Sequence, residues 1–344
     1  MGRISTKLLS LFIVLGLFLP VVSRAQSSGL SLLTSPLPIL MKTTPGVPVT
    51  TDIKLRNTGT GEETLKVTLM KFEAYEESGK PALMEAEPTD EFLKWVKFSE
   101  DTFTVAPGEW KTIQATITPP KEASFGYYYA FVFSRANENL SPEERRTALN
   151  GGTAILALLD VDVPGAKKEI TLEKFSLDKS VYEFLPTTFS ITLKNQGNVH
   201  AAPRGNIYID KGDEKDIALI EVNKEKGNIL PSSKRAFEAG WAEGFPKYVP
   251  KIVDDKEVKD AEGNTVMELT WDFKDASKLR FGHYTAKLLM IYDDGTHDVP
   301  LEGEVSFWVI PWRIIGGGLI VLLFIGLGLR SMLGGVFGKM KSKK

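Results

Sequence analysis

Short runs of strictly alternating apolar and polar residues recur along this chain. In the first run Val49, Thr51, Ile53 and Leu55 share one face, and polar residues occupy the other. This period of two is typical of half-buried antiparallel strands with one wet face. Because one face of each strand is polar, the sheets are expected to pack as sandwich layers. Further runs lie at 112–118, 188–194 and 284–292.

Turn signals separate these runs and divide the chain into two similar halves. The segment 53–59 (IKLRNTG) is echoed by 191–197 (ITLKNQG), and each half closes with a Gly-Tyr strand, at 126–127 and 282–284. The Asn-x-Gly turns supply the positive φ that chain reversals require. The echo predicts two copies of one sandwich type, joined at the Pro/Gly turn Val163 to Lys168. A short turn at Asp90 to Phe98 and a polar loop at Ser141 to Asn150 are the expected exceptions.

Residues 1–25 are predicted to be a cleaved signal peptide. Arg3 and Lys7 precede an apolar run from Leu8 to Leu19, and small residues stand at the −3 and −1 positions, Ser23 and Ala25. This order of basic, apolar and small residues is typical of a secretory signal. An uncleaved signal anchor is the alternative, although about 20 apolar residues are needed to cross a bilayer.

A transmembrane helix is predicted at 311–337. Ile314 to Leu329 is an unbroken run of apolar residues and glycines, and residues beyond Arg330 extend its apolar face. Aromatic and basic side chains at both ends are typical of the membrane interface. The residues assigned to that interface are Trp308, Trp312, Arg313, Arg330, Lys339 and Lys341.

The basic tail, 338–344, predicts the orientation of that helix. Lysines next to a span favour the cytoplasmic side, so the C-terminus is expected in the cytoplasm and the rest outside the cell. The predicted fold is therefore all-β: two tandem immunoglobulin-like antiparallel β-sandwiches, at 26–164 and 165–310, followed by one membrane helix.

The distribution of charge argues against nucleic-acid binding. Of the 42 basic and 44 acidic residues, 33 and 44 fall within 26–312, which gives this body a net charge of −11. An acidic body repels phosphate backbones. The chain also has no cysteine, which excludes disulfides, thiol nucleophiles and cysteine-based zinc sites. Such domains must rely on a hydrophobic core.

The stretch from Pro45 to Arg135 resembles the peptidoglycan-binding first domain of WxL-interacting surface proteins of Gram-positive bacteria. The matching pieces are Pro45-Gly46, an Asn-x-Gly turn, Trp95 near Phe98, the run 103–108 (FTVAPG) and 117–129 (ITPPKEASFGYYY). The second half is similar only in outline. The resemblance implies a non-enzymatic protein that holds partner proteins at the cell wall.

No catalytic, cofactor or metal set is predicted from the residues. His200, His283 and His297 lie in turn or strand-edge contexts without zinc-ligand spacing, and are expected at or near the surface. The acidic stretch 210–216 fits no standard calcium loop and favours a solvated hairpin turn. The turn at 293–295 is interpreted in the same way.

One cluster supports a binding hypothesis. Residues 127–133 (YYYAFVF) are bulky on both faces, with Tyr127, Tyr129, Phe131 and Phe133 on one side. Either this is a central strand covered by the excursion at 73–98, with Trp95 and Phe98 as its lid, or Tyr127 and Tyr129 form an open ligand platform for sugar rings or a partner strand.

The predicted function is that of a non-enzymatic, membrane-anchored cell-surface binding or scaffold protein. Its expected partners are membrane lipid through the helix, and peptidoglycan or another surface protein through the sandwiches. The alternative from another class is an accessory or chaperone-like subunit of a membrane protein complex, with the glycine-rich span as its contact.

Overall fold

The computed structural model describes residues 30–136 and 153–341, with side chains as far as Arg330. The predicted signal peptide, the polar loop at 141–150, the side chains of Lys339 and Lys341, and the end of the basic tail lie outside the described residues. Within the described parts, two β-sandwiches precede one long C-terminal helix.

The described residues of the first sandwich form ten strands. Its alternating runs form strands as predicted, since one face of each can be buried while the other stays wet. The strands are β1 (Leu32–Ser35), β2 (Ile39–Thr43), β3 (Val49–Asn57), β4 (Glu63–Tyr75), β5 (Lys80–Met84), β6 (Val96–Phe98), β7 (Thr102–Val105), β8 (Trp110–Ile117), β9 (Phe125–Arg135) and β10 (Thr153–Val161).

These strands form two sheets around one core. One sheet has the order β1-β3-β8-β6, and the other has the order β2-β10-β9-β4-β5, with β7 also paired to β4. Ile53, Leu55, Ile113 and Phe131 are fully buried between the sheets. The predicted turn at Asp90 to Phe98 is a 3-10 turn, Glu91–Trp95, followed by β6.

The second sandwich contains twelve strands. They are β11 (Ile170–Leu177), β12 (Val181–Tyr182), β13 (Thr187–Asn195), β14 (Arg204–Lys211), β15 (Glu214–Val222), β16 (Lys234–Trp241), β17 (Lys247–Pro250), β18 (Ile252–Val253), β19 (Lys256–Glu257), β20 (Met267–Thr270), β21 (Gly282–Asp293) and β22 (Asp298–Val309).

Its two main sheets have the orders β11-β13-β16 and β12-β22-β21-β14-β15. Phe189, Trp241, Tyr284 and Phe307 fill the space between them. The strands β17 to β20 form two small two-stranded sheets, β17 with β20 and β18 with β19, in an excursion between β16 and β21 that the sequence pattern did not predict. A 3-10 turn, Phe273–Lys278, ends this excursion.

Both domains are immunoglobulin-like sandwiches, and they share one departure from the predicted antiparallel pairing. In each domain an early strand pairs in parallel with the last strand, β2 with β10 and β12 with β22. The preceding strand of each domain, β1 or β11, pairs with the opposite sheet. The chain therefore crosses from one sheet to the other at the start of both sandwiches, which supports the repeat inferred from the sequence.

The C-terminal helix α1 spans Trp312–Lys341. It contains a 19-residue apolar stretch, Trp312–Arg330, that is long enough to cross a membrane and is not buried against either sandwich. Because an isolated apolar helix is costly in water, the stretch requires an apolar environment from elsewhere. It is a candidate membrane span by length and composition.

Candidate functional site: an apolar cleft between the two sandwiches

The tyrosine cluster in β9 does not form an open platform. Tyr129 is fully buried, and its hydroxyl donates to the carbonyl of Phe92 at 3.3 Å. Tyr127 is half-buried beneath Trp95, with ring centroids 4.7 Å apart. The structure therefore matches the alternative in which the 73–98 excursion covers this face, and corrects the platform hypothesis for Tyr127 and Tyr129.

The opposite face of β9 is the one that approaches the second domain. Ala130 is buried there with Met70, Phe72 and Leu158, and Tyr128 packs edge-on against Phe72 at 5.9 Å. Leu230 of the second sandwich packs on the same cluster. The outer face of the first sandwich is thus apolar, and the second sandwich covers only part of it.

A cleft of about 500 Å³ remains between the domains beside this contact. Apolar side chains form most of its wall, and the segments 225–230 and 233–235 of the second sandwich close its other side. This size and lining are typical of sites that hold an apolar ligand with few polar contacts. The apolar side chains of the first sandwich that line it are Leu37, Pro38, Phe72, Ala74, Pro81, Leu83, Ala154, Leu156 and Leu158.

Charged side chains also line this cleft, and Arg235, at the start of β16, is the one that lies between the two domains; the others are Lys80, Lys226, Lys234, Glu73 and Glu225. The guanidinium of Arg235 lies between Gly79 of the first domain and Gly227 of the second, so close to both that neither position has room for a Cβ. Nη1 donates to the carbonyl of Asn228 at 2.9 Å, and the group also lies over the ring of Phe237 at 5.2 Å. Burial lowers the pKa of Arg235 from its ordinary value, although a guanidinium stays charged in proteins.

Among the described residues, no carboxylate forms a salt bridge with Arg235. Its neighbour Lys234 is paired instead, with Glu173 at 2.5 Å. A partly desolvated cation with one carbonyl partner gains stability from an added anion, because charge-assisted hydrogen bonds are stronger in a low dielectric. The cleft therefore favours a ligand that is mostly apolar and carries a carboxylate.

Two further contacts cross the domain boundary near the cleft. The backbone N–H of Ala236 in β16 donates to the carbonyl of Glu77 in the β4–β5 turn at 2.8 Å. On the other side of Tyr128, His200 Nδ1 lies 3.1 Å from a carboxylate oxygen of Asp160. Burial and the neighbouring Asp160 carboxylate raise the pKa of Tyr128.

His200 departs from the expected surface location. Its exposed fraction is 8%, and its ring contacts Tyr128 edge-on at 5.8 Å. The prediction that His200 follows a turn, at 195–197, is correct. A local sequence pattern cannot show, however, that this segment packs against the other domain. His283 and His297 are exposed, as expected. Within the described residues no cluster of histidine or acidic side chains could hold a metal ion.

The acidic stretch 210–216 forms the predicted hairpin turn between β14 and β15. Its first carboxylate is not solvated, however. Asp210 is 3% exposed, accepts from the backbone N–H of Asp216 at 3.0 Å, and pairs with Lys287 at 3.0 Å. These donors, with Lys215, lower its pKa to about 2. The carboxylate stabilises the hairpin.

The described residues of the predicted membrane interface lie near the end of β22, at the start of α1 and along that helix. Trp308 and Trp312 are about half exposed, and Arg313 is tied to Glu183 through its backbone N–H at 3.3 Å. Arg330 is exposed on the helix. The helix therefore leaves the second sandwich from a fixed point.

Sequence reasoning missed the cleft because its members are far apart along the chain. Phe72, Leu156 and Arg235 belong to three strands in two domains, and none carries a local motif. One signal was available: Tyr128, Ala130 and Val132 make the second face of β9 apolar too, and that face required a covering element.

Comparison with known proteins supports the fold. Residues 39–136 match the Fn3-like domain family, which covers the main part of the first sandwich and less than half of the chain. No curated protein matches the chain.

Several solved structures are similar in layout. The class 5 fimbriae chaperone CfaA is 15% identical, with 82% of this chain and 100% of that chain covered at a TM-score of 0.35. The YadV chaperone is 10% identical, with 80% and 99% covered at 0.33. The Pseudomonas aeruginosa CupB2 chaperone is 9% identical, with 80% and 100% covered at 0.32. Likeness at this level carries no argument about function.

Proposed function

We propose that this chain is a non-enzymatic, membrane-anchored binding protein that holds a segment of a partner surface protein in the cleft between its two sandwiches. The signal peptide and α1 place the sandwiches outside the cell in this proposal, with the C-terminus in the cytoplasm. The observation that carries it is the cleft itself, with a mostly apolar wall and the partly desolvated guanidinium of Arg235.

An extended polypeptide suits the chemistry of this cleft. Apolar side chains of a partner segment would pack on Phe72, Leu156 and Leu158, and an acidic group would accept from Arg235. The strand β5 lies at the end of its sheet and lines the cleft through Lys80, Pro81 and Leu83. A segment lying along that edge could add main-chain hydrogen bonds, as in strand addition.

Site-specific photocrosslinking tests this function in the full chain on the cell surface. A benzoylphenylalanine residue at Leu156, inside the cleft, is expected to capture one partner protein. The matched control carries the same residue at Leu219, which is 62% exposed on β15, away from the cleft. Mapping of the crosslink should place it in an apolar segment that contains an acidic residue.

A second variant tests the cation. Arg235→Gln keeps a polar side chain with hydrogen-bond donors but shortens it and removes its charge. We expect the Leu156 crosslink to fall about tenfold, since loss of one charge-assisted pair costs about 1.4 kcal/mol or more. Equal capture at positions 156 and 219, or a yield unaffected by Arg235→Gln at unchanged melting temperature, would contradict the proposal.

The resemblance to WxL-interacting proteins extends the proposal to the cell wall, with peptidoglycan as a ligand of the first sandwich. Sedimentation of the full chain with purified wall fragments tests this separately. Retention on the fragments that survives Arg235→Gln would place wall binding outside the cleft.

The alternative, an accessory or chaperone-like subunit of a membrane complex, places the contact in α1. Gly316, Gly317 and Gly318 have no neighbour that a Cβ would meet, so another helix could approach α1 closely at these positions. Replacing 313–337 by an unrelated span distinguishes the two. The cleft-binding protein keeps its partner, and the complex subunit loses it.

A further inference from the structure

Six large apolar side chains are exposed along the last part of domain 2 and at the first residue of α1. Their exposed fractions range from 44% for Leu279 to 74% for Phe273. Single exposed apolar residues are ordinary, but a group this size in one place marks an interaction surface. We call this group the aromatic rim; its members are Trp271, Phe273, Leu279, Phe281, Trp308 and Trp312.

The sheet register places half of the rim at the end of the domain from which α1 leaves. The first residue of β21, Gly282, pairs with Val309, the last residue of β22. Phe281 therefore lies just beyond the sheet, beside the segment that leads from Trp308 to Trp312 and into the helix. The backbone N–H of Ile310 donates to the carbonyl of Tyr182 at 2.8 Å and fixes this exit point.

Contacts through residues 183 and 184 place the other half of the rim at the same end. Glu183 accepts from the backbone N–H of Arg313 at 3.3 Å, and the next residue, Phe184, contacts Trp271 with ring centroids 6.3 Å apart. Phe245 lies 5.8 Å from Trp271 and 5.4 Å from Phe273. The excursion that precedes β21 is thus folded against the base of the domain.

We propose that the aromatic rim inserts into the interfacial region of the lipid bilayer, so that domain 2 rests on the membrane surface. This inference relies on the proposed anchoring by α1. Lipid is the occupant because the rim is continuous with the helix: Trp312 belongs to both, and the apolar surface of α1 begins where the rim ends. Tryptophan and phenylalanine rings are favoured at this depth of a bilayer.

The charges around the rim are mixed. Lys278 and Lys247 both pair with Asp275, at 3.0 and 3.4 Å, and Arg280 lies near Glu243. Apolar insertion, rather than attraction to anionic lipid, is therefore the expected source of the contact. Docking at the rim in addition to α1 fixes the tilt of domain 2, and with it the direction in which the interdomain cleft faces.

The absence of cysteine allows this to be tested by single-site labelling of the full chain. Phe273→Cys, labelled with an environment-sensitive fluorophore, is reconstituted in phosphatidylcholine vesicles. The matched control is Thr296→Cys, in the turn at the opposite end of the β21–β22 hairpin. We expect emission at shorter wavelength and quenching by lipids brominated near the headgroup at position 273, and neither effect at position 296.

Flotation of the same vesicles separates this inference from the anchoring itself. A chain that floats with the vesicles but carries a fully water-accessible label at 273 would overturn the rim contact and leave the anchoring intact. A chain that does not float would overturn both. Phe281→Cys is a second labelling position with the same expected result, and disagreement between 273 and 281 would also overturn docking of the whole rim.

Discussion

Asn57 and Asn195 occupy equivalent places in the two sandwiches, at the ends of β3 and β13. Both are fully buried. In each, Oδ1 accepts from the glycine N–H two residues later, at 2.9 and 2.8 Å. Nδ2 of each donates to two backbone carbonyls, one of them four residues later. One side chain therefore closes the turn and ties it to a distant segment.

Replacement of Asn195 should strongly destabilise the second sandwich. Asn195→Ala leaves the carbonyl of Val199 without its donor and the N–H of Gly197 without its acceptor, and each unsatisfied buried group costs about 1–3 kcal/mol. We expect a loss of about 2–4 kcal/mol in the free energy of unfolding, measured by urea denaturation. Gln196→Ala, at the exposed next position, is the control. Equal losses for the two variants would show that the amide does not have this role.

Asp210 gives a prediction on pH dependence at the same scale. Its pKa is about 2 in the folded protein, below the usual value of 3.8, because the backbone N–H of Asp216 and the ammonium groups of Lys287 and Lys215 favour the charged form. A lowered folded pKa stabilises the fold above about pH 4, and this contribution is lost as the pH falls through about 2.

The Asp210→Asn variant tests this assignment. At pH 7 it should lose about 2 kcal/mol, the typical contribution of a charge-assisted hydrogen bond. The difference from the parent chain should shrink between pH 4 and pH 2, measured by urea denaturation at each pH. A difference that is constant over this window would contradict the role of the charge.

At the scale of elements, the β4–β5 turn of domain 1 contacts the guanidinium of Arg235 in domain 2. Gly79 has a φ of +70° and lies against the guanidinium of Arg235. Gly108 has a similar φ of +76° but no atom near its Cβ position. A comparison of substitutions at the two glycines therefore distinguishes the effect of backbone strain from the effect of contact with Arg235.

Gly79→Ala and Gly108→Ala form a matched pair. Both should lose about 1 kcal/mol from the strain of a left-handed residue with a side chain. Gly79→Ala should lose about 1 kcal/mol more, because the guanidinium must move and give up its bond to Asn228. Its Leu156 crosslink should fall as well. Equal stability and equal crosslinking in the two variants would contradict the placement of Arg235 between the glycines.

The elements also differ in how well the sequence predicts them. Alternation predicted β3, β8, β13 and β21, because a strand with one buried face has an apolar residue at every second position. The covering of Tyr129 by the 73–98 excursion was one of two open alternatives. Large side chains on both faces of β9 indicate that other segments cover them, but they do not show which segments these are. The strand pairs formed by β17 to β20 were missed because these short strands have little burial and leave no alternating pattern.

For the whole molecule, the interdomain arrangement could not be predicted from sequence. The linker between β10 and β11 is short, but its composition does not encode which faces meet. The faces that meet are determined by a few contacts between residues distant in sequence. Examples are Leu230, which packs against the buried cluster that contains Phe72, and His200, which lies beside Asp160. The cleft exists only because these contacts cover part of an apolar sheet face and leave the rest open.

Leu230 should therefore couple the stabilities of the two domains. It is half-buried on the outer face of domain 1, so Leu230→Ser removes apolar area from the interface at a cost of about 1–2 kcal/mol while both cores stay intact. In calorimetry of the full chain in detergent, we expect the parent to unfold with strongly overlapping transitions and the variant to show them further apart. Leu219→Ser, at an exposed site of the same domain, should leave the profile unchanged. If Leu230→Ser lowered the transition of domain 2 alone, Leu230 would belong to the stability of its own sandwich rather than to the coupling between the two.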